Sequence, residues 1–188
     1  LPSAPPSAMD IGLVYDTFAD HSWPDEAPPD ADAEFEPQTT VDMLAAAVEH
    51  LGHTPVRVGT AVDLRAQLQD GLVLDAALTI AEAGASRNRE AYAPILLEMA
   101  GIPCLGSDAL TLSVTLDKAW TKDLVRAVDV PTPPHQVYGT AAAIDPDVLP
   151  PFPLFVKPRY EGTSKGITPA SRVADVEALR AAVDRVTS

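Results

Sequence analysis

Short apolar runs alternate with amphipathic stretches along the first hundred residues, and this alternation limits the fold more than any other feature. Apolar residues recur at three- and four-residue spacing between the runs, which is the pattern of one helix face. The predicted strands are residues 11–15, 55–58, 73–80 and 102–105. The predicted helices are residues 41–51, 62–68 and 89–100, with Thr39 or Thr40 as the first N-cap. Strand–helix alternation predicts a parallel sheet covered by helices, hence a doubly wound α/β domain over residues 9–110.

The second part of the chain has a different pattern. One long helix is predicted at 110–128, and the Pro-rich segment 131–134 interrupts the regular structure after it. A strand is predicted at 154–157, then a turn-rich loop at 158–166, and a helix from Asp175 whose apolar face includes Leu179 and Val183. We expect a second, smaller domain over residues 111–188.

Composition narrows the classes of function. The formal net charge is −14, so we expect no binding to nucleic acid or to anionic lipid. No apolar run approaches the roughly 20 residues of a membrane span. Residues 1–8 are rich in Pro, Ser and Ala, lack the features of a signal peptide, and are interpreted as a flexible tail before Met9. With Cys104 as the only cysteine, the expected compartment is the cytoplasm.

Several well-known site motifs are absent or lack their context. The first predicted strand leads into Asp16 and Asp20 rather than a Gly-rich turn, which argues against a dinucleotide site. Residues 162–166 match G-x-S-x-G, but extended residues follow them and the last histidine, His135, lies upstream, which argues against a serine hydrolase. The acidic residues of 16–38 lack EF-hand spacing and are interpreted as a mobile loop. His50 and His53 are interpreted as structural, and no metal ligand is assigned.

Residues 161–166 favour another chemistry. Small residues in a turn let backbone N–H groups approach phosphate oxygens. Thr163 and Ser164 add hydroxyl donors, and Lys165 and Lys157 add positive charge. These residues therefore suggest a phosphate-covering hairpin loop. On spacing alone, an ordinary surface hairpin remains the alternative.

Two blocks of sequence resemble the D-alanine–D-alanine ligases, a family of ATP-grasp enzymes. One runs from Phe155 to Pro158 and continues from Glu161 to Gly166, and the other includes Leu97–Pro103, Gly106-Ser107 and Leu116–Lys118. The resemblance implies that the α/β domain is followed by part of an ATP-grasp α+β domain. It also implies catalytic roles for Lys157 and Ser164. The ATP-binding residues that it implies are Lys118, Lys157, Glu161, Gly162, Thr163, Ser164, Lys165 and Gly166.

The resemblance further implies an ATP-dependent ligase that joins two amino acids, of the D-alanyl-D-alanine type, through an acyl phosphate, as in peptidoglycan biosynthesis. ATP and amino acids would be the small-molecule partners, a homodimer is possible, and Mg²⁺ would be held by ligands outside this chain. The C-terminal ATP-grasp domain is expected to be missing, so the chain is expected to be a fragment or the ordered part of a longer protein. The alternative is a catalytically silent nucleotide-binding module.

The chain departs from the family pattern where the amino-acid substrate would bind. The stretch 79–90 lacks the usual histidine and carries arginines near the acidic position. The loop after the first strand is longer than usual. The candidate substrate-binding residues are Glu36, with Glu34 as its alternative, and Glu90.

Overall fold

The computed structural model describes residues 7–22, 24–82, 84 and 86–187. The chain divides into two compact units, and the division differs slightly from the expected domains. Unit 1 contains Leu1–Ala27 and Glu34–Ser113, whereas unit 2 contains Pro28–Ala33 and Val114–Ser188. Part of the long acidic loop therefore groups with the second unit.

Unit 1 is built on a four-stranded parallel sheet. Its strands are β1 (Asp10–Tyr15), β2 (Thr54–Gly59), β3 (Ala76–Ile80) and β4 (Cys104–Leu105), in the order β2-β1-β3-β4. The helices are α1 (Gln38–His50), α2 (Ala61–Gln69) and α3 (Tyr92–Met99), followed by α4 (Ala109–Leu116), which crosses the unit boundary. This architecture confirms the predicted α/β class with a parallel sheet.

The core of unit 1 follows from strand alternation. Val14 on β1 joins Leu64 of α2 and Leu97 of α3 in one buried cluster. Leu13 points to the opposite face of the sheet because successive strand residues alternate, and it is also buried. Helix α1 packs against β1 and β2 and buries Val41.

Some element boundaries predicted from sequence are wrong. Helix α1 begins at Gln38 with Pro37 in the N-cap position, so neither Thr39 nor Thr40 caps it; the Thr40 hydroxyl instead donates to Glu36 Oε2 at 2.9 Å. Strand β3 begins at Ala76 rather than at residue 73. The single helix predicted at 110–128 is two helices that meet at Asp117.

Unit 2 combines two helices with a short antiparallel pair of strands. Its elements are α5 (Lys118–Ala127), β5 (Leu154–Phe155), β6 (Arg172–Val173) and α6 (Val176–Thr187). Its buried cluster includes Ile144, Val173, Leu179 and Val183, so the predicted apolar face of the last helix is confirmed. The predicted strand 154–157 is only two residues long, and residues 156–171 connect β5 to β6.

Among the described residues, no helix has both the length and the apolar character that a membrane crossing would need.

Candidate functional site

Unit 2 contains a cleft of about 820 Å³ that three lysines line. Lys118 and Lys122 come from α5, and Lys157 follows β5. Proline and aliphatic side chains form much of the remaining wall, including Pro133, Leu154 and Val156. In a chain with a net charge of −14, three lysines in one apolar-walled cleft are a local concentration of positive charge, which attracts anions.

The cleft brings together some of the predicted ATP-binding residues and leaves out others. Lys118, Lys157 and Glu161 line it. Residues 162–166, all of which the structure describes, are not among its lining residues. Thr163 and Ser164 are exposed. The structure therefore gathers the predicted lysines around a cavity and leaves the hydroxyl groups of the loop outside its wall.

Lys118 is held by the backbone that leads into this loop. Its N–H donates to Arg159 O at 3.2 Å, and its Nζ donates to the same oxygen at 3.4 Å and to Glu161 O. Carbonyl acceptors fix the direction of an ammonium group without neutralising its charge. Lys118 thus presents a positioned positive charge in the cleft wall.

Lys122 lines the cleft and was not predicted from the sequence. Its Nζ donates to Thr132 Oγ1 and to Pro133 O, each at 2.9 Å. Burial lowers the pKa of Lys122, and the nearby positive charges of Lys157 and Arg126 lower it further. Like charges held close together favour a bound anion that separates them. Lys122 lies one helical turn after Lys118, so helical spacing was a signal that could have found it.

The loop 161–166 is folded on itself by short-range contacts. Lys165 N donates to Gly162 O at 2.8 Å and Ile167 N to Ser164 O at 3.0 Å. Lys165 Nζ lies 3.2 Å from Glu161 Oε2. Thr163 and Ser164 have φ angles of 43° and 62°, which is the left-handed region that non-glycine residues seldom occupy. Backbone strain of this kind clusters at ligand clamps and switch regions.

A carboxylate already contacts a backbone amide of this loop. Gly166 N donates to Asp30 Oδ2 at 2.6 Å, and Asp30 belongs to the segment of the long acidic loop that groups with unit 2. An anionic oxygen can therefore reach this N–H group. Phosphate oxygens use the same type of donor.

Asp117 anchors the start of α5. Its Oδ1 accepts from Ala119 N at 3.1 Å and Trp120 N at 3.2 Å, which caps the helix. Both carboxylate oxygens also bind Arg159, at 2.7 Å from Nε and 2.7 Å from Nη2. Burial alone raises the pKa of Asp117, but hydrogen bonds from Arg159 and from the Trp120 backbone hold it below its ordinary value.

A second group of charged residues lies at the carboxyl edge of the unit 1 sheet. Strands β1 and β3 pair in parallel up to Tyr15 and Ile80, so Asp16 and Glu82 follow them at the same edge. Glu82 N donates to Asp16 Oδ2 at 3.0 Å. In the order β2-β1-β3-β4, strand β2 is added on one side of β1 and strand β3 on the other, so the strand order switches between β1 and β3. Ligands of open α/β sheets bind outside the carboxyl ends of the strands at such a switch point.

The candidate substrate-binding residues have different positions relative to this edge. Glu34 forms a buried ion pair with Arg89, and each side chain is only 4% exposed. Burial raises the pKa of Glu82 to about 8, and the Glu90 and Glu34 carboxylates raise it as well. A side-chain hydrogen bond between Glu90 and Glu82 also raises this pKa and places Glu90 in the charged group at the sheet edge. Glu36 instead accepts a hydrogen bond from Thr40.

No group of three or more His, Cys, Asp or Glu side chains in the described part of the chain is arranged to hold a metal ion. His53 Nδ1 accepts from Met9 N at 3.3 Å, which is a structural contact. The described residues thus offer cations for phosphate and no ligand set for Mg²⁺.

Comparison with known proteins relates both the sequence and the fold to one family, although no family model matches the chain. The chain is 42% identical over 88 residues to a D-alanine–D-alanine ligase of Ectopseudomonas mendocina, an alignment covering 46% of this chain and 27% of that protein. It is 32% identical over 133 residues to the uncharacterized protein y4sG of Sinorhizobium fredii, covering 67% of this chain and 39% of that protein.

The fold is similar to that of a D-alanine–D-alanine ligase from Bacillus anthracis whose crystal structure is complexed with ATP. The TM-score is 0.65 at 21% identity, and the match covers 96% of this chain and 55% of that one. The chain thus spans about half of this solved structure and less than half of its curated relatives. Over part of its length the chain is similar in sequence to D-alanine–D-alanine ligases, and over nearly all of its length its fold is similar to that of one of them.

Proposed function

We propose that this chain is part of an ATP-dependent carboxylate–amine ligase and supplies the phosphate-binding side of its nucleotide site. The observation that carries the proposal is the cleft of unit 2, where Lys118, Lys122 and Lys157 converge between apolar walls. The fold of the chain resembles that of a ligase whose structure was solved with ATP. A triphosphate is the polyanion that such a lysine group would bind, and the apolar walls suit the rest of a nucleotide.

The proposed reaction joins two amino acids in two steps. In the first, a carboxylate oxygen of one amino acid forms a bond to the γ-phosphorus of ATP, the bond from that phosphorus to the β–γ bridging oxygen breaks, and ADP leaves. In the second, the amine of the other amino acid attacks the acyl carbon, loses a proton and expels inorganic phosphate. Lys118 and Lys157 would stabilise the negative charge on the transferred group.

The loop 161–166 would close over the phosphates and exclude water from the acyl phosphate. Thr163, Ser164 and Lys165 are exposed or half-buried, so they are accessible to a ligand. Mg²⁺ would supply positive charge that offsets the charge of the phosphates, and we expect its ligands to come from residues other than those described.

For the first amino acid, we propose the charged group at the carboxyl edge of the unit 1 sheet. Its carboxylates suit an ammonium group, and Glu34 and Glu90 lie within it. Glu34 is the better candidate than Glu36, whose carboxylate contacts Thr40. Arg89 adds a positive charge to these carboxylates, and its guanidinium could interact with a substrate carboxylate.

The alternative function is a nucleotide-binding module without ligase activity. The specific observation in its favour is the buried ion pair between Glu34 and Arg89. That pair occupies the carboxylate that would otherwise bind the substrate ammonium. The same lysine cleft would then bind ATP without chemistry in unit 1.

An ATP-dependent phosphate-release assay on the full-length protein, with a panel of L- and D-amino acids, distinguishes the two. Ligase function predicts phosphate release that depends on an amino acid, with a dipeptide detected by mass spectrometry. Calorimetric binding of ATP without amino-acid-dependent release supports the silent module. Neither binding nor release overturns both proposals.

A further inference from the structure

The start of α5 and the entry to the loop 161–166 are joined by one pair of side chains. Asp117 is 2% exposed, and both of its oxygens bind the guanidinium of Arg159 at 2.7 Å. The two residues are 42 positions apart in sequence. A planar, bidentate contact of this kind fixes orientation as well as distance.

The same two segments are joined a second time through Lys118. The Arg159 carbonyl accepts from both the N–H and the Nζ of Lys118, and the Glu161 carbonyl accepts from the Nζ. Lys118 is adjacent to Asp117 in sequence. The two segments are therefore linked twice: the Asp117 side chain holds the Arg159 side chain, and the Arg159 backbone holds Lys118.

The position of the Lys118 ammonium in the cleft depends on these two links. Lys118 has a long side chain that loses rotamer entropy when it is fixed. Two carbonyl groups can hold its ammonium only if the backbone at 159–161 stays in place. That backbone leads directly from Lys157 to Glu161, two further residues of the cleft wall.

We propose that Asp117 and Arg159 form a positioning pair, which holds the backbone at 159–161 so that the Lys118 ammonium points at the anion in the cleft. Neither residue needs to touch the phosphates for this role. The inference rests on the proposed function in that the anion is taken to be the phosphate chain of ATP.

The main test is a double-mutant cycle in the full-length protein. Arg159→Gln is compared with Arg159 in the wild-type background and again in the Lys118→Met background. We expect Arg159→Gln to lower kcat about tenfold, with little change in KM for the amino acid, because a displaced catalytic group loses rate. In the Lys118→Met background it should have almost no further effect, because Arg159 acts through Lys118. An undiminished tenfold loss in that background would overturn the proposal.

Matched variants separate positioning from charge and from folding. Arg180 is exposed on α6 of the same unit, so Arg180→Gln removes the same charge and should leave kcat unchanged. Equal losses for the two variants would show that only net charge matters. Arg159→Lys keeps the charge without the two-pronged contact and should recover only part of the rate. Asp117→Asn keeps the helix cap, so it should fold and lose rate as Arg159→Gln does; wild-type kcat in a folded Asp117→Asn protein would overturn the pair.

A measurement without nucleotide makes failure of this inference distinguishable from failure of the proposed function. The acetylation rate of Lys118 by an amine-reactive ester is followed by mass spectrometry, with Lys122 as the internal reference because its contacts are to Thr132 and Pro133. If the pair positions Lys118, Arg159→Gln should raise the labelling of Lys118 severalfold relative to Lys122, whether or not the protein uses ATP. Unchanged relative labelling would overturn the positioning role even in an active ligase.

Discussion

At the scale of single residues, Lys157 allows the sharpest test of the nucleotide site. It is exposed within the lysine cleft of unit 2. An ammonium about 4 Å from a phosphate oxygen is worth about 4 kcal/mol at an effective dielectric constant of about 20. If about 3 kcal/mol of this is realised in the transition state, Lys157→Ala should slow phosphate release by about a hundredfold. Steady-state kinetics of the full-length protein measures this directly.

The matched control for Lys157→Ala is Arg180→Ala, which removes an exposed positive charge from α6. We expect its effect on stability to stay within about 0.5 kcal/mol and its kinetics to match wild type. Thermal melting of both variants shows whether either change acts through folding. Near-normal kcat and KM for ATP in Lys157→Ala would mean that the lysine has no role at the phosphates.

Glu82 leads to a prediction about pH. Its pKa in the folded protein is raised from 4.5 to about 8, mainly by burial, so the folded state binds this proton more tightly than the unfolded state. The stabilisation it gives is complete below pH 4.5 and is lost as the pH rises through 8. Glu82→Gln imitates the protonated form, so the variant should gain stability over wild type between pH 5 and 8. Denaturant unfolding across this range tests it; a constant difference would contradict it.

Single-residue predictions from sequence came from local motifs. Lys118 and Lys157 were named from short blocks of resemblance, and the structure places both in one cleft. Arg159 was missed because its importance comes from Asp117, 42 positions away, and no local pattern encodes that contact. Glu34 and Arg89 pair across 55 positions, so the sequence could suggest an acidic residue without choosing between Glu34 and Glu36.

At the scale of elements, Asp117 separates α4 from α5 and stabilises the start of α5. Asp117→Ala removes the cap and also leaves Arg159 without its carboxylate. We expect a loss of about 2–3 kcal/mol in the free energy of unfolding of unit 2. Asp117→Asn keeps an oxygen at the cap and should lose clearly less. Denaturant melts of the two variants should rank in this order, and equal losses would show that the cap contributes little.

The loop 161–166 depends on a glycine at its end. Gly166 has a φ of +73°, and a Cβ atom there would lie 2.6 Å from Pro158 Cγ. Gly166→Ala should therefore strain the loop, at a cost of roughly 1–2 kcal/mol. The control is Gly139→Ala in the same unit, because a Cβ there has no atom within 4 Å. Hydrogen exchange across 159–167 should increase only in the Gly166 variant; unchanged exchange would show that the loop adapts at no cost.

Element types were easier to predict than element limits. The apolar runs of β1 and β2 were confirmed, and β1 reads as a continuous run because its residues 11–14 are all buried. The face of α6 was confirmed because burial of one helix face imposes a period of about 3.6 residues. The break at Asp117 was overlooked because apolar residues continue on both sides of it. An Asp before a helical stretch is nevertheless an N-cap signal, so this boundary was accessible from the sequence.

At the scale of the whole molecule, alternation of strands and helices predicted the parallel sheet but not the order of its strands. That order, β2-β1-β3-β4, depends on crossovers that local periodicity does not encode. It matters because it brings the ends of β1 and β3 together, and with them Asp16 and Glu82. The proposed amino-acid site therefore depends on topology, whereas the proposed phosphate site depends on local motifs.

The two sites lead to a last prediction about the isolated 188-residue chain. The aligned relatives are considerably longer than this chain, and the lysine cleft groups positive charges without a metal-ligand set among the described residues. We expect the isolated chain to bind ATP weakly through its lysines, so that binding falls as salt screens the charges. We expect no amino-acid-dependent phosphate release from it. Calorimetry at two salt concentrations tests the salt-dependent binding of ATP, and a phosphate-release assay with D-alanine tests the absence of turnover. Clear turnover would show that the metal and the adenine are bound by residues within this chain, whereas salt-independent binding would place the nucleotide away from the lysine cleft.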